Sequence, residues 1–404
     1  IDIITNSELV SLEGEAGHFK AVIRKHPRYV DLSKCTSCND CTEVCPVFLP
    51  NEFNEGLDQR KAIYRSYPQA VPNTFLVTKR GTSPCKNTCP AETSAQGYIA
   101  LIQAGRYQEA LDVVKEYNPF PASVGRVCNH PCEEKCNRGK LDSPVAICAL
   151  KRFVADWVYE HRDELKKKET TTHGSRLTSH ESIEGSERPR AKVAIVGAGP
   201  AGLSCAHQLS RMGYPATIFE ALPVAGGMMR VGIPSYRLPR DVLQREIDEI
   251  LNHPLVTLKL NTPIRNINSL FDAGYSAVFL AMGAHEAQKL GIPGEETSGV
   301  HHGVPFLQAV SLAEKHGVME GFEDRFLIAF GIPIAPKVGE KTVVIGGGNV
   351  AIDAARTALR LGAKEVQILY RRSRDEMPAN SWEIEAAERE GIKIQILTAP
   401  VEVV

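Results

Sequence analysis

Two stretches of the sequence repeat one design: a short apolar run that breaks into glycines and then into an alanine-rich segment of helical character. In the first, Val193-Ala194-Ile195-Val196 runs into Gly197-Ala198-Gly199-Pro200-Ala201-Gly202. In the second, Thr342-Val343-Val344-Ile345 runs into Gly346-Gly347-Gly348-Asn349-Val350-Ala351. A strand nearly free of polar residues is covered on both faces, as strands of a parallel sheet are, and each parallel crossover needs a connecting segment, usually a helix. The pattern predicts an α/β chain with two Rossmann-like nucleotide-binding domains and excludes a short-period solenoid.

The spacing assigns a task to each glycine. Gly197 permits the tight turn, Gly199 admits a pyrophosphate against the backbone, and Gly202 lets helix and strand pack closely, with Ala198, Pro200 and Ala201 completing the turn. Free N–H groups at the helix start then hold the phosphates. Glu220 ends the next strand, Thr217–Glu220, where a carboxylate grips an adenosine ribose. The second unit has the GxGxxA form, with Gly346, Gly348, Asn349, Val350 and Ala351 at the turn. Its next strand ends in Arg371-Arg372 instead of an acid. A carboxylate there would repel a 2′-phosphate, whereas a guanidinium pairs with it, so the second site is read for NADP(H) rather than NAD. Arg374 is a weaker candidate for the same patch.

The remaining signal is cysteine. Of 11 in a chain of 404 residues, all but Cys205 lie between Cys35 and Cys148. A disulfide framework belongs to small secreted domains, and this large chain has no charged n-region with an apolar core behind it, so metal or iron–sulfur ligation is the expectation. Cys35-x2-Cys38-x2-Cys41-x3-Cys45-Pro46 has the spacing of bacterial ferredoxin [4Fe-4S] ligands. Whether Cys45 completes that cubane or serves another is left open. Cys85, Cys89, Cys128, Cys132, Cys136 and Cys148 form a looser set whose spacing supports a metal site without choosing the metal. Cys205, inside the alanine-rich helix, reads as a small buried hydrophobe.

Several of these segments carry a resemblance. Gly125-Arg126-Val127-Cys128, Pro131-Cys132-Glu133-Glu134-Lys135-Cys136 and Ala104–Leu111 resemble the N-terminal iron–sulfur domain of glutamate synthase small subunits and dihydropyrimidine dehydrogenase. The resemblance implies a [4Fe-4S] site using Cys89, Cys128 and Cys132, with Cys148 or Cys136 as the fourth ligand. That family carries a further Cys-x2-Cys just before the position of Cys85, and this sequence lacks it. Gly226–Pro234, with Gly227 and Met228, and Tyr236–Pro239, with Arg237, resemble the family's flavin-side segment. Phe279–Ala284, with Gly283, resembles its crossover strand, which places FAD at the first glycine turn. Tyr370–Ala379 resembles its NADPH side. Residues 1–75 are similar instead to the inserted ferredoxin region of heterodisulfide reductases, in their A-type flavoprotein chain.

The domain expectation is a preceding-domain tail plus ferredoxin-like segment at 1–75, a helical iron–sulfur domain at 76–160, a linker at 161–190, a FAD domain at 191–335 and an incomplete NADP domain at 336–404. Because the chain opens at Ile1 and stops at Val404, it reads as a piece of a larger fusion. A balance of 47 Lys plus Arg against 48 Asp plus Glu gives no field for nucleic acid, and no apolar run approaches the roughly 18 residues of a membrane span. The expected cofactors are FAD, NADP(H) and about two [4Fe-4S] clusters. The expected function is an iron–sulfur flavoprotein oxidoreductase passing electrons to a redox partner subunit or ferredoxin, in a multi-subunit complex in the cytoplasm. The alternatives are an electron-bifurcating flavoprotein of the heterodisulfide reductase A type, the reductase half of a glutamate synthase and a non-catalytic electron-transfer adaptor. Hydride transfer is the cofactors' own chemistry, so no catalytic acid or base is expected.

Overall fold

The computed structural model describes residues 3–79, 81–169, 191–313 and 338–404. Most of the expected linker, from residue 170 to 190, and the expected boundary near 335 lie outside these residues. The chain divides into two compact units, one of Ile1–Gln96 with His130–Ile147, the other of Gly97–Asn129 with Cys148–Val404.

The first unit opens with an antiparallel hairpin, β1 (Ser7–Glu15) and β2 (His18–Lys25), turning at Gly17 where φ is +92°. A bulge between Leu9 and Ser11 sets the register so that Leu9 faces Ile23, Leu12 faces Ala21 and Glu13 faces Lys20. Beyond the first cysteine motif, β3 (Phe48–Pro50) pairs with β4 (Gln59–Lys61), and β5 (Ile63–Tyr64) with β6 (Leu76–Val77). These pairs fall in a stretch that reads as irregular by sequence, because two or three residues are too few to show a period.

The second unit contains both glycine turns. Its first sheet is wholly parallel, in the order β10-β7-β8-β9, from β7 (Val193–Val196), β8 (Ala216–Phe219), β9 (Val256–Lys259) and β10 (Ala277–Leu280). Its second is β11-β12-β13, also parallel, from β11 (Lys341–Ile345), β12 (Glu365–Leu369) and β13 (Lys393–Gln395). Ile195, Ile218, Leu203, Leu243 and Ile247 form the first core and Ile352, Ala355, Ile368 and Ile384 the second. Each such large aliphatic side chain, fully buried, contributes about 1.5–3 kcal/mol. The amphipathic helices Tyr107–Lys115 and Ile147–Glu160 lie in the segment expected to be helical, and the chain breaks at Gly105 with φ +71° before the first of them.

Candidate functional site

The first glycine turn is anchored at the carboxyl end of β7. Gly197 N–H donates to Phe219 O at 2.8 Å, with φ at +106°, and a Cβ there would meet the Ala281 carbonyl oxygen at 2.3 Å. Only glycine fits both conditions. At Gly202 a Cβ would fall 2.0 Å from the Gly197 carbonyl oxygen, so the helix Pro200–Arg211 is seated directly on the turn. Gly199, its N-cap, is different: a Cβ there would meet nothing nearer than Gly227 Cα at 3.8 Å. That opening, bounded by Gly227 and by the helix start, is a backbone-walled cradle of the kind a pyrophosphate fits.

Gly226 N–H closes one side by donating to Ala198 O at 2.8 Å, and Gly227 and Met228 begin the short helix Gly227–Val231. Gly283 follows β10 with φ +73°. Glu220 is 7% exposed, and its carboxylate accepts from the N–H groups of Ala198 at 2.6 Å and Leu222 at 2.8 Å. Each oxygen retains a second lone pair for a hydroxyl.

The second turn repeats the plan. Gly346 N–H donates to Leu369 O at 3.0 Å, and Gly348 caps the helix Asn349–Arg360. The segment that follows β12 holds the turn from above: Ala379 N–H donates to Gly347 O and Asn380 N–H to Asn349 Oδ1, both at 3.0 Å. Val350 stays exposed, while Ala351 is buried. Arg371 and Arg372 are exposed just past β12. Arg374 is held in a two-bond pair with Glu388, which removes it from the patch.

Arg237 reaches across to the second half. Its guanidinium donates to Asp353 Oδ2 at 2.6 Å and pairs with Glu383 Oε1 at 2.6 Å. Arg356 also pairs with Glu383, at 3.3 Å, and with Glu390 at 2.7 Å. Arg356 and Arg360 lie over the Tyr236 ring, the latter 3.9 Å from its centre. Burial pushes the Asp353 carboxyl up to about 6 although Arg237 pulls it down, and Asp353 Oδ1 is buried with no hydrogen-bond partner. Sequence spacing carries no sign of this network, since its members are paired only by the packing of the two halves. Glu246, described below, is equally silent in the motifs; its signal is a glutamate at an apolar position of the helix Arg240–Leu251.

None of the eleven cysteines is joined in a disulfide. In the first motif Ser37 and Asn39 take left-handed conformations, φ +62° and +80°, so the chain winds between Cys35, Cys38 and Cys41. Backbone N–H groups of Phe75 and Ser37 aimed at the Cys35 sulfur hold that thiol below its ordinary range. Burial raises Cys41, with the charges of Cys38 and Cys35 adding to the effect, so the three sulfurs are within electrostatic reach of one another. Lys61 Nζ donates to the Cys45 carbonyl at 2.8 Å and fixes the end of the loop. Of the looser set, Cys85, Cys89, Cys132 and Cys136 belong to the first unit, where the short helices Pro84–Thr88 and Pro131–Glu134 pack together. Cys128 and Cys148 belong to the second, with the Cys148 sulfur 3.5 Å from Gly125 O. Among the described residues no three His, Cys, Asp or Glu side chains converge into a finished metal site, so the thiols are gathered by segment and not closed round an ion. Their donor chemistry, soft thiolates stabilised by amide N–H groups, fits an iron–sulfur cluster.

Comparison with known proteins agrees with this chemistry. Residues 77–163 match the family described as dihydropyrimidine dehydrogenase domain II, 4Fe-4S cluster. The subunit beta of NADP(+)-dependent formate dehydrogenase from Moorella thermoacetica is 44% identical over 337 residues, 80% of this chain and 44% of that protein. The subunit beta of NADPH-Fe(3+) oxidoreductase from Geobacter sulfurreducens is 39% identical over 378 residues, 92% of this chain and 50% of that one. The glutamate synthase [NADPH] small chain of Escherichia coli is 31% identical over 325 residues, covering 80% and 63%. The chain thus spans about half the length of the first two relatives. No helix among the described residues is long and apolar enough to cross a membrane. Residues 191–404, with their two glycine turns on parallel sheets, match from end to end, and the chain belongs to the pyridine nucleotide-disulphide oxidoreductase family.

Proposed function

We propose that this chain is the NADPH-oxidising, electron-distributing part of an iron–sulfur flavoprotein oxidoreductase. The observation that carries the reading is the pairing of two glycine turns in one compact unit, the first backed by a buried acid and the second by exposed arginines. FAD would lie along Gly197–Gly202, with Glu220 on its ribose and Gly227, Met228 and Gly283 beside it. NADPH would lie along Gly346–Ala351, with Arg371 and Arg372 on its 2′-phosphate. A flavin held there would supply hydride acceptance from NADPH and one-electron release toward [4Fe-4S] clusters.

The protein's own residues position these groups and exclude alternatives. The Gly199 opening fixes the pyrophosphate, and Arg237 braces the flavin side against the NADP side through Asp353 and Glu383. Cys35, Cys38, Cys41 and Cys45 would hold one cluster. Cys85, Cys89, Cys132 and Cys136 of the first unit, and Cys128 and Cys148 of the second, are the candidate donors for further cluster ligation. The domain limits at 75, 160, 190 and 335 belong to the same reading. So do delivery to a partner subunit or ferredoxin and a place in the cytoplasm; the names of the relatives, which are subunits or a small chain, support the partner subunit.

The test is anaerobic purification of the parent protein, with iron, sulfide and flavin quantified and the visible spectrum followed on adding NADPH or NADH. Flavin bleaching much faster with NADPH, with about eight iron assigned to these cysteines by variants, is the expected result. Bound flavin that neither nucleotide bleaches would overturn the NADPH assignment in favour of an adaptor.

A further inference from the structure

The helix Pro121–Val127 is the last element before Cys128, and it is built onto the flavin-binding half. Phe120, its N-cap, is 2% exposed and sits in one core with Ile195, Leu243 and Ile247, while Val124 and Val127 pack against the same core. Its start is held by Glu246, a fully buried side chain on the helix Arg240–Leu251. Glu246 Oε1 accepts from Ala122 N–H at 2.6 Å and Oε2 from Ser123 N–H at 2.9 Å. These are two of the amides that a helix start leaves without an internal partner.

The opposite side is equally constrained. A Cβ at Gly125 would lie 2.8 Å from Arg152 Cα, so this helix and Ile147–Glu160 meet backbone to backbone. Arg126 binds Asp156 through two bonds of 2.9 Å. A buried carboxylate costs several kcal/mol unless its partners are well placed, so mere stability would favour an apolar side chain at position 246. Such a carboxylate is understandable where it holds one geometry.

We propose that Glu246 is a positioning residue that fixes the register of the Cys128 segment on the flavin-binding half, and so the geometry for electron transfer between flavin and the cluster that Cys128 serves. This inference rests on the function proposed above. Both carboxylate oxygens are needed, one for each amide. Burial raises the Glu246 carboxyl to about 7, with the Ala122 and Ser123 bonds and Lys115 opposing and Tyr159 and Glu249 facing the same region. The fully engaged, ionised form therefore gains population as pH rises through neutrality.

The experiment uses the full parent protein with Glu246→Gln and Glu246→Asp, reading three quantities: flavin bleaching by NADPH, subsequent cluster reduction, and hydrogen exchange over Pro121–Cys128. In Glu246→Gln the bleaching rate should stay within about twofold, cluster reduction should slow roughly tenfold or more, and exchange at Ala122 and Ser123 should accelerate. Glu246→Asp, which keeps the charge, should recover part of both losses and serves if the glutamine variant does not fold. Cluster reduction at the wild-type rate in a folded variant with accelerated exchange overturns the positioning role alone. Wild-type protein whose flavin never reduces its clusters overturns the functional reading and this inference together.

Discussion

Arg237 donates to Asp353 across 2.6 Å, joining the loop before the helix Arg240–Leu251 to the helix that starts at the second glycine turn. Both side chains are nearly buried, at 11% and 6% exposed, and Glu383 takes the other arm of the guanidinium. Because Asp353 lies one turn beyond Asn349, a shift of one glycine turn against the other would strain this bond.

Removing the arginine should therefore leave the buried Asp353 without its ion-pair partner and Glu383 with Arg356 alone. Arg237→Ala is expected to destabilise the protein by about 3 kcal/mol, and Arg237→Lys by less, since lysine keeps a charge but loses the fork. Urea denaturation of the two variants against wild type checks this; equal midpoints for all three would contradict it.

Glycine variants should separate flavin binding from folding. Gly199→Ala adds a methyl that meets only Gly227 Cα, at an ordinary contact of 3.8 Å, so stability should change by no more than about 0.5 kcal/mol while flavin content drops. Gly197→Ala drives a Cβ into the Ala281 carbonyl and should lose both. Thermal melts and flavin absorbance per chain distinguish the two outcomes.

Exchanging Arg371 and Arg372 for alanine should raise KM for NADPH roughly tenfold or more, with little effect on NADH, since a charged hydrogen bond contributes about 1.5–3 kcal/mol. Steady-state assays with both nucleotides decide it. An equal effect on NADH would mean the arginines are ordinary surface charges.

Stability should also depend on pH in a set direction. The Glu246 carboxyl is raised to about 7 in the folded chain by burial and returns to the ordinary glutamate range on unfolding. Between those values the native state holds a proton that the unfolded chain has released. Stability therefore falls as pH rises from about 5 to 7, by on the order of 3 kcal/mol, and then levels. Denaturant midpoints across that window should slope downward in wild type and less so in Glu246→Gln.

What the sequence revealed was local. The strand at Val193, the glycine turns and the strand that ends at Glu220 each follow from residues adjacent in the chain, and the observed elements match within a residue or two. The paired strands of two or three residues around positions 48–77 have no period to read. Arg237 was legible as a resemblance to a flavin-side segment, but its partners stand 116 and 146 positions away, as the residue numbers of Asp353 and Glu383 give by subtraction. Glu246 broke the polar–apolar pattern of its helix. A mismatch of that kind marks a pairing whose other half lies elsewhere in the chain.

The contact at Gly125 has a consequence for how this protein can change over generations. With Arg152 backbone already where a methyl would go, a hydrogen atom is the widest side chain position 125 accepts. Even the smallest replacement would prise apart the two helices next to Cys128 and Cys148. Any replacement at position 125 therefore has to be met by a matching displacement at the Arg152 backbone, a shift no single substitution supplies.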